Sequence, residues 1–133
     1  MRKLLLLMIG FGLCWAAAPV LAHHSFAAEF DAGKEVTLKG TLTKLEWVNP
    51  HGWLHIDVKR PDGKVENWAV EAGGATALMR AGVRQTDFKL GVELTVQGFL
   101  AKNGTNTVAG REVKTADGRN FFVGGQQPGR GGQ

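Results

Sequence analysis

The alternation of apolar residues between positions 35 and 48 changes phase partway along, and this constrains the fold more than any other feature of the chain. Two apolar sets follow one another on the two phases: Val36, Leu38 and Leu42, then Leu45 and Trp47. A one-residue slip turns side chains to the other face of a strand unless an extra residue bulges out. The pattern therefore predicts a bulge near Thr43 and Lys44 and a strongly bent first strand.

The rest of the chain predicts a small β-barrel with one short helix. Alternating segments bounded by turn residues predict strands at 53–59, 65–71, 92–97 and 107–114, and a short closing strand at 119–123. Residues 73–82 are mostly helix formers that end at Gly82, which suits a C-terminal cap. This is the element order of the OB-fold, a partly open barrel of about five or six strands. A β-sandwich ranks second, because seven even strands are hard to find.

The N-terminal segment has the three regions of a secretory signal peptide: a basic start, an apolar run and a small-residue exit. The apolar run is too short for a stable membrane span. Cleavage after Ala18 or after Ala22 fits the small-residue rule, and we favour Ala22 because Pro19 would directly follow the bond cleaved after Ala18. We therefore expect an exported protein with a cleaved signal peptide at 1–22, a barrel domain at 23–123 and a disordered Gly-rich tail at 124–133.

Composition limits the chemistry of the exported chain. Cys14, the single cysteine, lies in the leader and follows Leu13, where lipoprotein processing requires Gly, Ala or Ser, so no lipid anchor is expected. Without thiols, a metal must be held by nitrogen and oxygen. The formal charge of +4 falls towards neutrality when the leader leaves, which excludes a nucleic-acid footprint. We find no spacing typical of acid/base or nucleophilic catalysis and expect no enzymatic turnover.

The four histidines form two pairs: His23 and His24 at the processed N-terminus, and His51 and His55 where the second strand begins. A free α-amine and the imidazole of the same residue chelate one ion with little further loss of entropy, and an imidazole from elsewhere completes a histidine brace. Cu(II) leads the affinity order for nitrogen ligands. We therefore predict Cu(II) bound by His23, His24 and His51, with His55 as the alternative third nitrogen.

Two geometric points qualify the second pair. His51 and His55 would be about 13 Å apart on an extended strand, so either the loop folds back or only one of them binds. Asp57 follows His55 by two residues and would leave the same face, where it could orient the ring.

In a plainer reading the terminal histidines have no role, or His24 and Phe26 dock on the barrel and close one end. Phe26 and Phe30 would then form an apolar helical edge.

Aromatic and polar residues cluster where the first strand turns into the second, a connection through which OB-folds bind ligands. Trp47 alternates with Leu45 and is predicted to lie in the core, whereas Trp53 is out of phase with the core residues and could be a stacking platform. This gives a second hypothesis, a binding module for an envelope peptide, glycan or small molecule that uses Asn49, Trp53 and His51. A structural partner in an envelope complex is the third.

Several segments together form a specific pattern: His23-His24-Ser25-Phe26, Val36-Thr37-Leu38-Lys39-Gly40-Thr41, Trp47-Val48-Asn49-Pro50-His51, Trp68, and the stretches 77–82 and 94–98. This pattern resembles a bacterial family of small exported proteins that carries a domain of unknown function. The resemblance covers almost the whole processed chain. It implies a periplasmic location and a barrel of this kind, and it implies no reaction, ligand or catalytic residue.

Overall fold

The computed structural model describes residues 25–125. Within this range, six strands, two short helices and a 3₁₀ turn follow in this order: α1 Phe26–Glu29, β1 Phe30–Glu46, β2 His51–Lys59, β3 Val65–Gly73, α2 Ala75–Arg80, the 3₁₀ turn Gln85–Asp87, β4 Glu93–Ala101, β5 Thr107–Thr115 and β6 Asn120–Phe122. The predicted order of strands and central helix is confirmed. The 3₁₀ turn is an addition to it, as is helix α1, which contains Phe26 but not Phe30 of the predicted helical edge, because Phe30 begins β1.

Hydrogen bonding joins five of these strands into a ring. β1 pairs antiparallel with both β2 and β4, and the hairpins β2–β3 and β4–β5 extend the sheet on either side. A short parallel ladder between residues 69–71 of β3 and 107–109 of β5 closes the ring. β6 pairs with the far end of β5. The fold is therefore all-β, a small and uneven OB-like barrel, as the sequence predicts.

The first strand reaches both neighbours because it bends. Its register with β2 shifts between Leu42 and Lys44, which confirms the predicted bulge. At Gly40 a Cβ would lie 2.6 Å from the Asp57 carbonyl oxygen, so only glycine allows β1 and β2 to approach this closely. β1 begins at Phe30, earlier than the alternation indicates, because Phe30 already pairs with Ala101 on β4.

Aliphatic side chains fill the barrel interior. The most deeply buried are Leu42, Leu54, Ile56, Val70, Leu94, Val96, Val108, Val113 and Val123. α2 packs on this core through Leu78. The helix ends in a Schellman motif at Gly82, whose φ is +82°: Val83 N–H donates to the Leu78 carbonyl at 2.9 Å. This confirms the predicted glycine cap, and the contact between buried Leu78 and Val83 accompanies it.

A second, smaller apolar cluster lies apart from the interior. It contains Phe26, Phe30, Phe99 and Ala109, with Ala101 beside them. Phe99 and Ala109 are register partners on β4 and β5. They alternate with inward-facing Val108 and so face outwards. Phe26 therefore docks on the barrel, one of the alternatives left open by the sequence, although on its outer surface rather than at one end.

The predicted leader at 1–22, together with His23 and His24, lies outside the described residues, as does the tail from 126 onwards. Gly125, near the start of the predicted tail, lies against β3, where a Cβ on it would be 2.7 Å from Gly73 Cα. Between residues 25 and 125 no helix combines the length and the apolar character needed to cross a membrane.

Candidate functional site

The outward face of β2 carries both described histidines. His51, Trp53, His55 and Asp57 alternate with buried residues and are themselves half-buried. β2 pairs with β3 without a register shift along its whole length, so the strand is regular. Four residues of a regular strand span about 13 Å, which is too far for two histidines to share one ion. Of the alternatives that the sequence left open, the strand geometry allows only one histidine of this pair per metal ion.

His51 lies beside a buried carboxylate. Its Nδ1 atom is 2.9 Å from Glu71 Oε1, and Glu71 is only 6% exposed. The distance suits a hydrogen bond, but the buried Nδ1 is not aligned with an acceptor, so a rotation of the ring would be needed to complete one. Glu71 faces Trp53 across the β2–β3 ladder, which makes it a diagonal neighbour of His51 on the outer surface.

His55 has a different carboxylate partner. Its Nε2 atom lies 2.8 Å from Glu46 Oε1, and Lys44 Nζ lies 2.9 Å from the same oxygen. The hydrogen bond from Lys44, followed by that from His55, lowers the pKa of Glu46 below its ordinary value. Glu46 belongs to β1, the strand on the other side of β2 from Glu71.

Asp57 does not orient the His55 ring as the sequence suggested. Its Oδ1 atom accepts a hydrogen bond of 2.8 Å from Asn67 Nδ2. Side chains two residues apart on one strand are separated by about 7 Å, whereas those on adjacent strands are about 5 Å apart. His55 and Asp57 therefore each contact a residue on a neighbouring strand, Glu46 and Asn67 respectively, rather than each other.

Asn49 joins the loop after β1 to the first turn of α2. Its Oδ1 accepts from Thr76 N–H at 3.1 Å, and its Nδ2 donates to Thr76 Oγ1 at 3.0 Å. The carbonyl of Val48 accepts from Ala75 N–H at 3.0 Å. These bonds satisfy N–H groups that a helix start leaves without intrahelical partners. Both ends of the Asn49 amide thus serve the fold, and its role in ligand binding stays a prediction.

Trp53 and Trp47 have the orientations expected from the sequence. Trp53 is half-buried on the outer face between the two histidines. Trp47 packs against the core, with its ring centroid 6.4 Å from that of Phe88. The Trp53 side chain therefore lies between the His51–Glu71 pair and the His55–Glu46 pair.

The docked helix α1 and His51 lie two strands apart on one outer surface, with β3 between them. The Phe26 ring contacts Phe99 edge to face, with centroids 5.4 Å apart, in the cluster that includes Ala109. The register partner of Ala109 is Glu71, whose carboxylate lies beside His51. Only about one strand spacing, 5 Å, separates the docking cluster from the strand that carries Glu71. The barrel closure thus brings the start of the described chain towards His51.

The described residues do not by themselves form a metal site. Between positions 25 and 125, no three His, Cys, Asp or Glu side chains are grouped so as to hold an ion. His51 and His55 each contribute one imidazole at separate places. The other two predicted ligands, His23 and His24, fall before the described range, so the copper hypothesis stays a prediction.

The fold and the outer face define a small OB-like barrel domain with histidine and carboxylate pairs on its surface. The model of a family of unknown function, DUF6152, matches residues 12–110, and the chain belongs to this family. The match covers β1 to β4, both described histidines and both carboxylates. Comparisons with curated proteins and with solved structures gave no match. The predicted membership of a family of unknown function is therefore confirmed, and it brings no activity with it.

Proposed function

We propose that the chain is an exported, periplasmic copper-binding protein. Cu(II) is held by the α-amine and imidazoles of His23 and His24 after cleavage behind Ala22, and by the imidazole of His51. The observation that supports this most directly is the docking of Phe26 on β4 and β5, because β5 pairs with the strand that carries Glu71, the carboxylate beside His51. Cleavage is part of the proposal, because the amine becomes a ligand only when the leader is removed.

Chain length is compatible with this site. Phe26 follows His23 by three positions, and an extended chain of that length reaches about 10 Å. From Ala109, beneath Phe26, to Trp53 the sheet crosses two strand spacings, about 10 Å, and His51 lies two residues, about 7 Å, further along β2, so the diagonal distance to His51 is about 12 Å. The extended segment and the length of the His51 side chain together span this distance, so the proposed site is compatible with a docked Phe26.

Glu71 gives His51 the surroundings of a metal-ligating histidine. A carboxylate at one ring nitrogen fixes the tautomer and orientation, raises the basicity of the ring and leaves the other nitrogen for the metal. In the proposed site the His51 ring turns so that its Nδ1–H donates to Glu71, and Nε2 is the ligand atom. The negative charge of a buried carboxylate also offsets the charge of a divalent ion.

The test is a Cu(II) titration, with a competing chelator, of protein that begins at His23 and of protein that retains Ala22. The retained residue removes the amine of His23 from the chelate, so affinity should fall sharply. His51→Ala should weaken binding by at least about tenfold, and Glu71→Gln by about 10- to 100-fold. His55→Ala is the matched control, since it lies on the same face beside its own carboxylate, and it should bind like the parent.

Two results would overturn the proposal. One is equal binding by the two N-terminal forms, which would remove the amine from the site. The other is an equal effect of His51→Ala and His55→Ala, which would show that the imidazoles bind copper as unrelated surface groups. Electron paramagnetic resonance of the Cu(II) complex gives an independent count of the coupled nitrogens.

A second candidate function rests on Trp53. Its half-buried ring lies on the outer face, with Glu46 and Glu71 opposite it on the two neighbouring strands. An aromatic face flanked by hydrogen-bonding groups suits a sugar or peptide ligand of the envelope. Titration with soluble peptidoglycan fragments, followed by Trp fluorescence in the parent and in Trp53→Phe, tests it. A response that the Trp53→Phe variant retains would exclude this surface.

A further inference from the structure

We infer that the segment between β3 and β4 docks on the surface of an anionic phospholipid membrane. This segment, residues 74–92, is called the cap below. The inference goes beyond the proposed function and does not depend on it, because neither copper nor the residues before Ser25 take part. Docking of this kind is peripheral and needs no membrane-spanning helix.

The cap lies across one end of the barrel. Antiparallel pairing brings the end of β1, the start of β2, the end of β3 and the start of β4 to this end. Both ends of the cap are bonded to the chain of β1 and the loop after it. Ala75 N–H donates to the Val48 carbonyl at 3.0 Å, and Gly91 N–H donates to the Leu42 carbonyl at 2.8 Å. The cap is therefore fixed on the barrel at two points.

Buried side chains fix the face that the cap presents to water. Ala75, Leu78, Val83 and Phe88 are buried and face the core. The residues between these four are exposed, apart from Asp87, which is partly buried. The exposed side chains of the cap thus form one defined surface at the end of the barrel.

Large apolar side chains are concentrated on this surface. Met79 is 56% exposed and Leu90 is 63% exposed, while Val48, which is bonded to the start of the cap, is 50% exposed. These are three of the five large apolar side chains that are strongly exposed between residues 25 and 125. Such side chains can enter the boundary between lipid headgroups and acyl chains, where their apolar surface leaves water.

The same surface carries three cations. Arg80, Arg84 and Lys89 are exposed, and within the described part of the chain none of them forms an ion pair. Asp87, the single carboxylate of the cap, accepts from Arg84 N–H at 2.8 Å and pairs with Arg119 Nη1 at 2.9 Å. Its charge is already compensated, so the three cations stay available to lipid phosphate groups.

Two carboxylates that adjoin the cap are paired as well. Asp117 lies 2.9 Å from Arg119 Nε, and Glu93, which begins β4, lies 2.9 Å from Lys39 Nζ. Free cations beside exposed apolar side chains match an anionic lipid surface, near which each Lys or Arg raises affinity by about fivefold. Exposed aliphatic side chains favour a membrane over an acidic protein, because insertion between lipids requires no complementary shape.

The test is cosedimentation with vesicles of phosphatidylcholine, pure or mixed with phosphatidylglycerol. The protein used lacks the predicted leader, residues 1–22, because the apolar run of the leader would itself enter lipid. We expect binding to the mixed vesicles at low salt, and much less binding to pure phosphatidylcholine or at high salt, where the charges are screened. Arg84→Gln/Lys89→Gln should weaken binding by at least about tenfold. Leu90→Ser should weaken it by about tenfold.

Matched controls lie at the opposite end of β2, around the hairpin to β3. Lys59→Gln/Lys64→Gln removes the same charge from exposed positions, and Val65→Ser removes an apolar side chain that is 60% exposed. β2 has nine residues and is about 30 Å long, which exceeds the Debye length of about 10 Å at 0.1 M salt. Both controls should therefore bind like the parent.

A polarity-sensitive fluorophore shows which end of the barrel meets the lipid. Cys14 is the single cysteine of the chain and leaves with the leader, so Leu90→Cys and Val65→Cys can each be labelled at one site. Addition of mixed vesicles should shift the emission of the label at position 90 to the blue and leave that at position 65 unchanged.

Three results would overturn the inference. The first is an absence of binding to mixed vesicles at low salt. The second is an equal loss of binding in the cap variants and in the hairpin controls, which would show attraction by overall charge alone. The third is binding to soluble polyglutamate without binding to vesicles, which would assign the cap to an acidic protein. The copper titrations are unaffected by any of these results.

Discussion

Replacing Asn49 with alanine tests whether the loop between β1 and β2 is a structural joint with α2. The change removes the acceptor for Thr76 N–H, at 3.1 Å, and the donor to Thr76 Oγ1, at 3.0 Å. Loss of a capping acceptor costs about 0.5–2 kcal/mol, and a solvent-exposed side-chain bond adds about 0.5 kcal/mol. We expect a loss of about 1–2 kcal/mol in the free energy of unfolding. In a domain of about 100 residues this lowers Tm by roughly 4–15 °C.

Thermal unfolding followed by circular dichroism measures the shift. Asn49→Asp is the matched variant, because it keeps the acceptor and places a negative charge at the start of α2, where the helix dipole favours it. It should stay within about 0.5 kcal/mol of the parent. A parental Tm for Asn49→Ala would show that the loop does not stabilise α2. Loss of copper binding by folded Asn49→Ala would instead place the amide in the site.

Two further predictions concern stability. Hydrogen bonds from Thr115 and Arg119 lower the pKa of Asp117 from 3.8 to about 2, so its contribution to stability is present above pH 4 and is lost as the pH falls towards 2. Urea unfolding between pH 2 and 5 should show a weaker acid dependence for Asp117→Asn, and a carboxyl that titrates near 3.8 by NMR would contradict this. At Gly74 a Cβ would lie 2.5 Å from the Pro50 carbonyl oxygen, so Gly74→Ala should cost about 1–3 kcal/mol in chemical denaturation. Gly33→Ala, whose Cβ meets only the Asp31 carboxylate at 3.3 Å, should stay close to the parent.

The features that the sequence predicted correctly depend on residues that are close together along the chain. The phase change near Thr43 locates the bulge because apolar alternation is a local signal. Gly82 marks the end of α2 because a left-handed residue favours glycine. The sequence did not predict Glu71 and Glu46 as partners of His51 and His55. Each glutamate lies on a different strand from its histidine, and only the register between the strands makes them neighbours. Alternation in β3 would have placed Glu71 on the outer face, had the pairing of the strands been known.

Ring closure decides which of two similar histidines suits the proposed site. The interior of the barrel is filled by its own aliphatic side chains, and the two described histidines lie on the outer face of β2. There, His51 and His55 each lie within 3 Å of a carboxylate oxygen, at 2.9 and 2.8 Å, and their local chemistry hardly separates them. Their neighbours do: Glu46 belongs to β1, whereas Glu71 belongs to β3, which pairs with β5 beneath the docked helix α1. In the proposed site, the three residue pairs between β3 and β5 therefore select His51 as the ligand. A substitution that opened this ladder should abolish the difference between the two histidines before it unfolds the barrel.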